Sequence, residues 1–136
     1  MNVVVDTNII AYYWLPGAHT ESAVSLRRHT DEWYVPTLWR SEFRNVLARY
    51  LRAGVIGLAQ ASALIRSAEA ELVNGERDVD SVAVMDLVAK SACSAYDCEF
   101  VALAKSMGYP LVTEDTRIVR TFPETAVTMD DLLAGQ

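Results

Sequence analysis

The chain has 136 residues, 51% of them hydrophobic and 22% charged, with a net charge of −6 and a pI near 4.8. That length supports one hydrophobic core, and no linker, low-complexity tract or internal repeat divides it, so residues 1–136 are expected to form a single domain. No apolar run reaches the ~20 residues of a spanning helix, and Met1-Asn2 leads into an apolar segment without a basic and then apolar leader, so a cytoplasmic protein without a membrane partner is expected.

Acidity argues on its face against a nucleic-acid partner, because phosphate binding leaves a basic footprint. Arginine nevertheless outnumbers lysine, of which only Lys90 and Lys105 exist. Arg27, Arg28, Arg40, Arg44, Arg49 and Arg52 fall in two neighbouring helical segments, and the guanidinium fork grips phosphate or carboxylate at two points. Cys93 and Cys98, with only His19 and His29 far upstream, cannot complete a four-ligand zinc site. They read as small buried hydrophobes.

In chain order, Asn2 to Val5 reads as a central parallel strand buried on both faces. Asp6-Thr7-Asn8 supplies capping side chains to a helix carrying Ile9, Ile10, Tyr13 and Trp14, which Pro16-Gly17 stops. A helix over 20–29 turns Ala23 and Leu26 inward, and 33–35 forms a short strand. Pro36-Thr37 opens a long helix striped by Leu38, Phe43, Val46, Leu47, Tyr50 and Leu51 and closed by Gly54. Glu42 lies off that stripe, with Asn45 and Arg49 on its face. The segment 58–72 is a helix for packing or an interface. Further helices are predicted over 82–92 and from Asp97 to Met107, the latter stopped by Gly108. A strand over 111–113 precedes Asp115, a short helix runs through Val119, and a last strand lies near 126–128. Strands alternating with helices imply parallel pairing through right-handed crossovers. The expected fold is α/β, with three layers around a mainly parallel sheet.

Four acids stand where this chain leaves strands or enters helices: Asp6, Glu42, Asp97 and Asp115. Singly, each has an ordinary explanation as an N-cap, a first-turn charge, a solvated residue or a turn former. Jointly they point to the crevice at the carboxyl edge of an open α/β sheet. Converging carboxylates raise one another's pKa, so such a cluster takes up protons, pairs with cations or holds a divalent ion through hard oxygen ligands.

The segments Val3-Val4-Val5-Asp6-Thr7-Asn8-Ile9-Ile10, Ser41-Glu42-Phe43-Arg44-Asn45-Val46-Leu47, Tyr96-Asp97-Cys98-Glu99-Phe100-Val101-Ala102-Leu103-Ala104 and Leu111-Val112-Thr113-Glu114-Asp115 resemble a PIN domain, specifically the small VapC-type toxins. The resemblance implies a Mg2+- or Mn2+-dependent endoribonuclease with Asp6, Glu42, Asp97 and Asp115 as its catalytic and metal-binding acids, and Asn8 and Thr113 in support. It also implies an RNA substrate, a homodimer and silencing by a VapB-like antitoxin. Arg44 and Arg49 either hold the RNA backbone or pair with surface acids. Glu114 and Glu99 are assigned to solvent or to places behind the cluster, and Trp14, Trp33 and Trp39 to core packing or a partner interface rather than base stacking.

Two other classes compete. Phosphotransferase or receiver-like modules also gather acids at a sheet edge, but they require a lysine at a strand end, and the haloacid dehalogenase type needs Asp-x-Asp where this chain has Asp6-Thr7-Asn8. A catalytically silent PIN-fold module binding RNA or protein is the alternative, expected to have lost an acid.

Overall fold

The computed structural model describes residues 1–135. Strands β1 (Val3–Val5), β2 (Trp33–Pro36), β3 (Glu76–Arg77), β4 (Leu111–Val112) and β5 (Ala126–Val127) form one sheet in the order β3-β2-β1-β4-β5. Every neighbouring pair is parallel. The expected α/β architecture is therefore present, with the first strand at its centre.

Alternation along the strands builds two cores. Val3 and Val5 point to one face, where they pack with α1 (Thr7–Trp14), α2 (Thr20–His29), α3 (Leu38–Arg52) and α4 (Leu58–Leu72). Val4 points to the other face, beneath α5 (Ser81–Ala89), α6 (Ala95–Met107) and α7 (Thr116–Thr121). Leu111 and Val112 divide in the same way. A strand buried on both faces needs side chains that are apolar in succession, which explains the unbroken Val3-Val4-Val5 run.

Several elements depart from the sequence-based expectations. The helix expected over 82–92 is α5 and ends at Ala89, where Lys90 caps it. Ser94 accepts the Asp97 N–H and starts α6 two residues before the expected position. In α3 it is Trp39 that is fully buried, while Leu51 is 37% exposed. Trp39 donates its indole N–H to Glu76, which also takes a two-point ion pair from Arg40. Phe43, Val46 and Leu47 of the expected stripe are buried, so the polar anchor adds Trp39 to that face and the stripe fades at Leu51.

Two elements escaped the reading. The two-residue strand β3 is Glu76-Arg77, polar because it lies at the sheet edge. The terminal helix α8 (Met129–Ala134) is capped by Thr128 and packs Met129 into the first core. Cys93 and Cys98 are free and buried, and Trp33 and Trp39 lie in the core as expected. Among the described residues, no helix is long and apolar enough to cross a membrane.

The chain runs from β1 outward through β2 and β3 and then returns to β4 on the other side of β1. The order reverses beside β1, so a crevice opens between β1 and β4 at their carboxyl ends. Gly75 closes the route into β3: a Cβ there would collide with the Trp33 carbonyl oxygen and crowd the Tyr34 backbone. Gly75→Ala is expected to lower stability by about 1–3 kcal/mol or more through this overpacking. Urea unfolding with unchanged midpoint would contradict it.

Candidate active site

The crevice is a cavity of about 200 Å³ lined by Asp6, Glu42, Asp97 and Asp115 together, with Thr7, Asn8, Asn45 and Arg49 around them. Each acid reaches it from a different element. Asp6 follows β1 and caps α1, its Oδ1 accepting the Ile9 N–H at 3.1 Å. Glu42 comes from the second turn of α3, Asp97 from the first turn of α6, and Asp115 from the cap of α7. Helices that follow or precede parallel strands present their amino ends at this edge, so the acids meet where helix dipoles favour negative charge.

Pairing of β1 with β4 fixes the deepest part of the site. Val4 and Val5 lie opposite Leu111 and Val112, and the Asp6 N–H donates to the Val112 carbonyl at 3.3 Å. Thr113, fully buried, donates its hydroxyl to Asp6 Oδ2 and accepts the Asp115 N–H at 3.0 Å. One hydroxyl therefore joins two acids that are distant in sequence. Thr7, also buried, donates to Glu42 Oε1 at 2.7 Å.

Burial pushes the Asp6 carboxyl up to about 6; the Thr113 and Ile9 hydrogen bonds oppose that rise, and the charges of Glu42 and Asp115 add to it. Glu42 is raised too, mainly by burial, with the Asp97 charge adding and the Thr7 bond opposing. Near the mouth the acids meet a cation. Arg117 Nη2 lies 3.2 Å from Asp97 Oδ2 and 4.0 Å from Asp115 Oδ2. Its side chain is 53% exposed, so this is a rim contact of the kind worth ~0–1 kcal/mol.

Of the two arginines read as phosphate contacts, Arg49 lines the acidic cavity. Arg44 does not: it lies on the α3–α4 side, 3.8 Å from Glu69, because α3 turns positions 44 and 49 to different faces. Asn8 lines the cavity, and Thr113 supports it from beneath. Glu114 accepts the Met129 N–H at the start of α8. Glu99 is half-buried and stands outside the cavity lining, and its carboxyl is raised by burial and then by the Glu42 charge. Arg117 and the Thr7–Glu42 bond were missed. The signal for Arg117 was its place two residues after Asp115, at the start of a helix.

The donor set is all hard oxygen, as Mg2+ and Mn2+ require. Among the described residues, however, no three acidic, imidazole or thiol groups are close enough together to enclose an ion. Each acid has another partner in this arrangement: Thr113 donates to Asp6, Thr7 donates to Glu42, and Arg117 lies against Asp97 and Asp115. Burial is the main cause of the raised Asp6 and Glu42 carboxyls, and neighbouring acids add to it; a cation in the cavity would offset both effects. The donors suit a divalent ion in chemistry, and the four acids line one cavity without closing around a single point.

The fold and this pocket define a class, a parallel α/β domain with an acidic crevice beside its first strand. The PIN domain family model matches residues 3–122, and the chain belongs to that family. It is 28% identical over 127 residues to ribonuclease VapC3 of Pyrobaculum aerophilum, covering 90% of this chain and 96% of that protein. Its fold superposes on the crystal structure of PAE2754 from Pyrobaculum aerophilum with a TM-score of 0.75, at 22% identity over the full length of both chains. A toxin–antitoxin complex from Klebsiella pneumoniae gives 0.71, at 16% identity, covering 93% of this chain and 97% of that one.

The Asp6 shift has a stability consequence. Between about pH 4 and pH 6 the folded chain keeps a proton that the unfolded chain releases, so stability falls as pH rises through that window. A rise from 3.8 to about 6 corresponds to about 3 kcal/mol lost at neutral pH. Asn at position 6 retains a capping oxygen and carries no charge. Asp6→Asn in chelator is therefore expected to exceed the native chain in stability by on the order of 1–3 kcal/mol at pH 7.5, with the gap closing near pH 4. Parallel denaturation curves at both pH values would refute this.

Proposed function

We propose that this protein is a Mg2+- or Mn2+-dependent endoribonuclease, the toxin of a toxin–antitoxin pair, with Asp6, Glu42, Asp97 and Asp115 as its catalytic and metal-binding acids. One observation carries the reading: four carboxylates from four separate elements line a single small cavity at the sheet's carboxyl edge. The ribonuclease name of the Pyrobaculum relative and the toxin–antitoxin complex of the Klebsiella fold neighbour support it. By the same likeness the substrate is RNA, the antitoxin is VapB-like, and the protein acts in the cytoplasm as a homodimer.

Phosphodiester hydrolysis must overcome repulsion between anionic phosphate oxygens and the attacking water. A bound divalent ion supplies positive charge against those oxygens and acidifies water. The chain's own groups do the rest. Asp6 and Asp97 are the first choices for direct contact with the ion, and Glu42 and Asp115 complete the set directly or through water. Thr113 and the Ile9 N–H hold Asp6 in one orientation, and Thr7 does the same for Glu42. Burial raises the proton affinity of Asp6, to about 6, and of Glu42, so an ion bound by these two groups competes with protons. Asn8 and Arg49, exposed at the wall, are available to phosphate oxygens.

The silent-module alternative draws on the Arg117 contact and on the absence of an assembled ligand set. Against it stands the retention of all four acids.

Purified protein is expected to cleave structured RNA only with Mg2+ or Mn2+, and Asp97→Asn to slow cleavage by about 10²-fold or more, the scale for loss of one positioned group, with unfolding still cooperative. Equal cleavage by both proteins would assign the activity to a contaminant. Millimolar Mn2+ should also raise the melting temperature of the native chain, because an ion that binds only the folded state stabilises it; a flat response to metal would count against an ion site. Arg117 neutralises the same two acids as the ion. Arg117→Ala should tighten Mn2+ binding by up to about five-fold, matching a rim pair worth ~1 kcal/mol, as read by calorimetry.

A further inference from the structure

A second cavity, of about 230 Å³, adjoins the acidic one and shares Asn8, Val46 and Arg49 with it. It lies between the α1–α2 connection and α3, and its other lining includes Tyr12, His19 and Tyr50. We propose that this cavity receives the nucleobase next to the scissile phosphate, stacked against the Tyr12–His19 wall, with Arg49 holding the phosphate between the two cavities. This inference rests on the ribonuclease reading and specifies how its substrate is held.

Three observations carry it. The first is an existing stack: the His19 ring lies over Tyr12 with centroids 4.5 Å apart and planes tilted by 32°, so a base entering the cavity can extend a pair of rings that are already stacked. Every nucleobase offers a π-face, which makes aromatic walls the usual partners of single-stranded nucleic acid. The second is size, since about 230 Å³ is below the ~300 Å³ at which drug-sized ligands begin to fit and suits a single ring system. The third is charge. Among the described residues Arg49 makes no ion pair, whereas Arg27, Arg40, Arg44 and Arg117 each do. An uncommitted guanidinium at the junction of an acidic cavity and an aromatic one matches a chain that alternates phosphates with flat rings.

The requirements of the fold do not account for His19. It is exposed and stands at the N-cap of α2, but its side chain makes no capping bond. Tyr12 is half-buried and packs against the core, so its ring is fixed while one part remains at the cavity.

The test uses the full chain with Asp97→Asn to stop turnover, and a single-stranded RNA dodecamer carrying 2-aminopurine at one position, moved along a set of oligonucleotides. Stacking quenches 2-aminopurine. One position is expected to be quenched on binding, and Tyr12→Leu to remove that quench and weaken binding by about five-fold or more, the range for loss of one stacking ring. Tyr12→Phe, which keeps the ring, should retain both. His19→Ala removes no contact the fold needs and should relieve part of the quench, so the inference stays testable if Tyr12→Leu unfolds. RNA that binds with a quench indifferent to positions 12 and 19 would overturn the base site alone and leave the cavity to a protein segment. A parent that binds no RNA, together with a native chain that cleaves none, would remove the nuclease reading itself.

Discussion

Burial of Asp6 is the constraint around which this molecule is arranged. Its carboxylate lies at the end of the central strand, 9% exposed, with apolar strands on both sides and two other acids near enough to raise its proton affinity. A charged group in such a place needs fixed donors. They come from β4 and α1: the Thr113 hydroxyl, supplied by the neighbouring parallel strand, and the Ile9 N–H, supplied by the first turn of the following helix. Shifting β1 against β4 by one residue would carry Thr113 to the opposite face of the sheet and leave Asp6 without a partner. Core packing on the alternating faces of β1 and β4 fixes that register, so the site inherits its precision from the valines beneath it.

The remaining acids are held less tightly as the cavity opens outward. Glu42 has a single buried partner in Thr7, whereas Asp97 and Asp115 lie at the rim under an exposed arginine. Several of these groups also maintain the fold. Asp6 and Asp115 cap α1 and α7, each cap being worth ~0.5–2 kcal/mol. The ordinary and the functional readings of an acid at a helix start are therefore compatible. A capping carboxylate spends part of its hydrogen-bonding capacity on backbone N–H groups and keeps its charge for the cavity.

Much of this was legible in the sequence, for identifiable reasons. Val3-Val4-Val5-Asp6-Thr7-Asn8 carries its strand, its cap and its acid in consecutive residues, and the helices over 20–29 and 58–72 have the bounds that their periodicity indicates. The convergence of the four acids followed from strand and helix ends in a parallel sheet. What escaped was set by contacts between distant residues. Edge strand β3 has no hydrophobic signature, because its backbone pairing with β2 and the Arg40–Glu76 ion pair hold it. Trp39 is buried by its bond to Glu76, and Arg117 meets Asp97 only because α6 and α7 begin at the same sheet edge. Arg44 and Arg49 are separated because five positions along α3 turn their side chains to different faces, so only Arg49 shares the face of Glu42 and Asn45 at the cavity.

For the proposed nuclease, net charge and RNA binding are reconciled by how the arginines are placed. A chain of net charge −6 repels a polyanion at long range, and four acids in the cavity deepen that repulsion locally. Arg40 is locked between Glu69 and Glu76, and Arg27 is paired with Glu71, so these guanidinium groups stabilise helix packing and lend nothing to a phosphate. Attraction must then be generated where the phosphate sits, within the ~8–10 Å over which salt leaves charges effective. Only cations at the cavity itself meet that condition: Arg49 on its wall, Arg117 at its mouth, and the divalent ion proposed for the carboxylates. On the nuclease reading, an acidic surface with a few cations at one crevice binds RNA weakly except at that crevice, and weak binding elsewhere keeps the substrate from being held out of register.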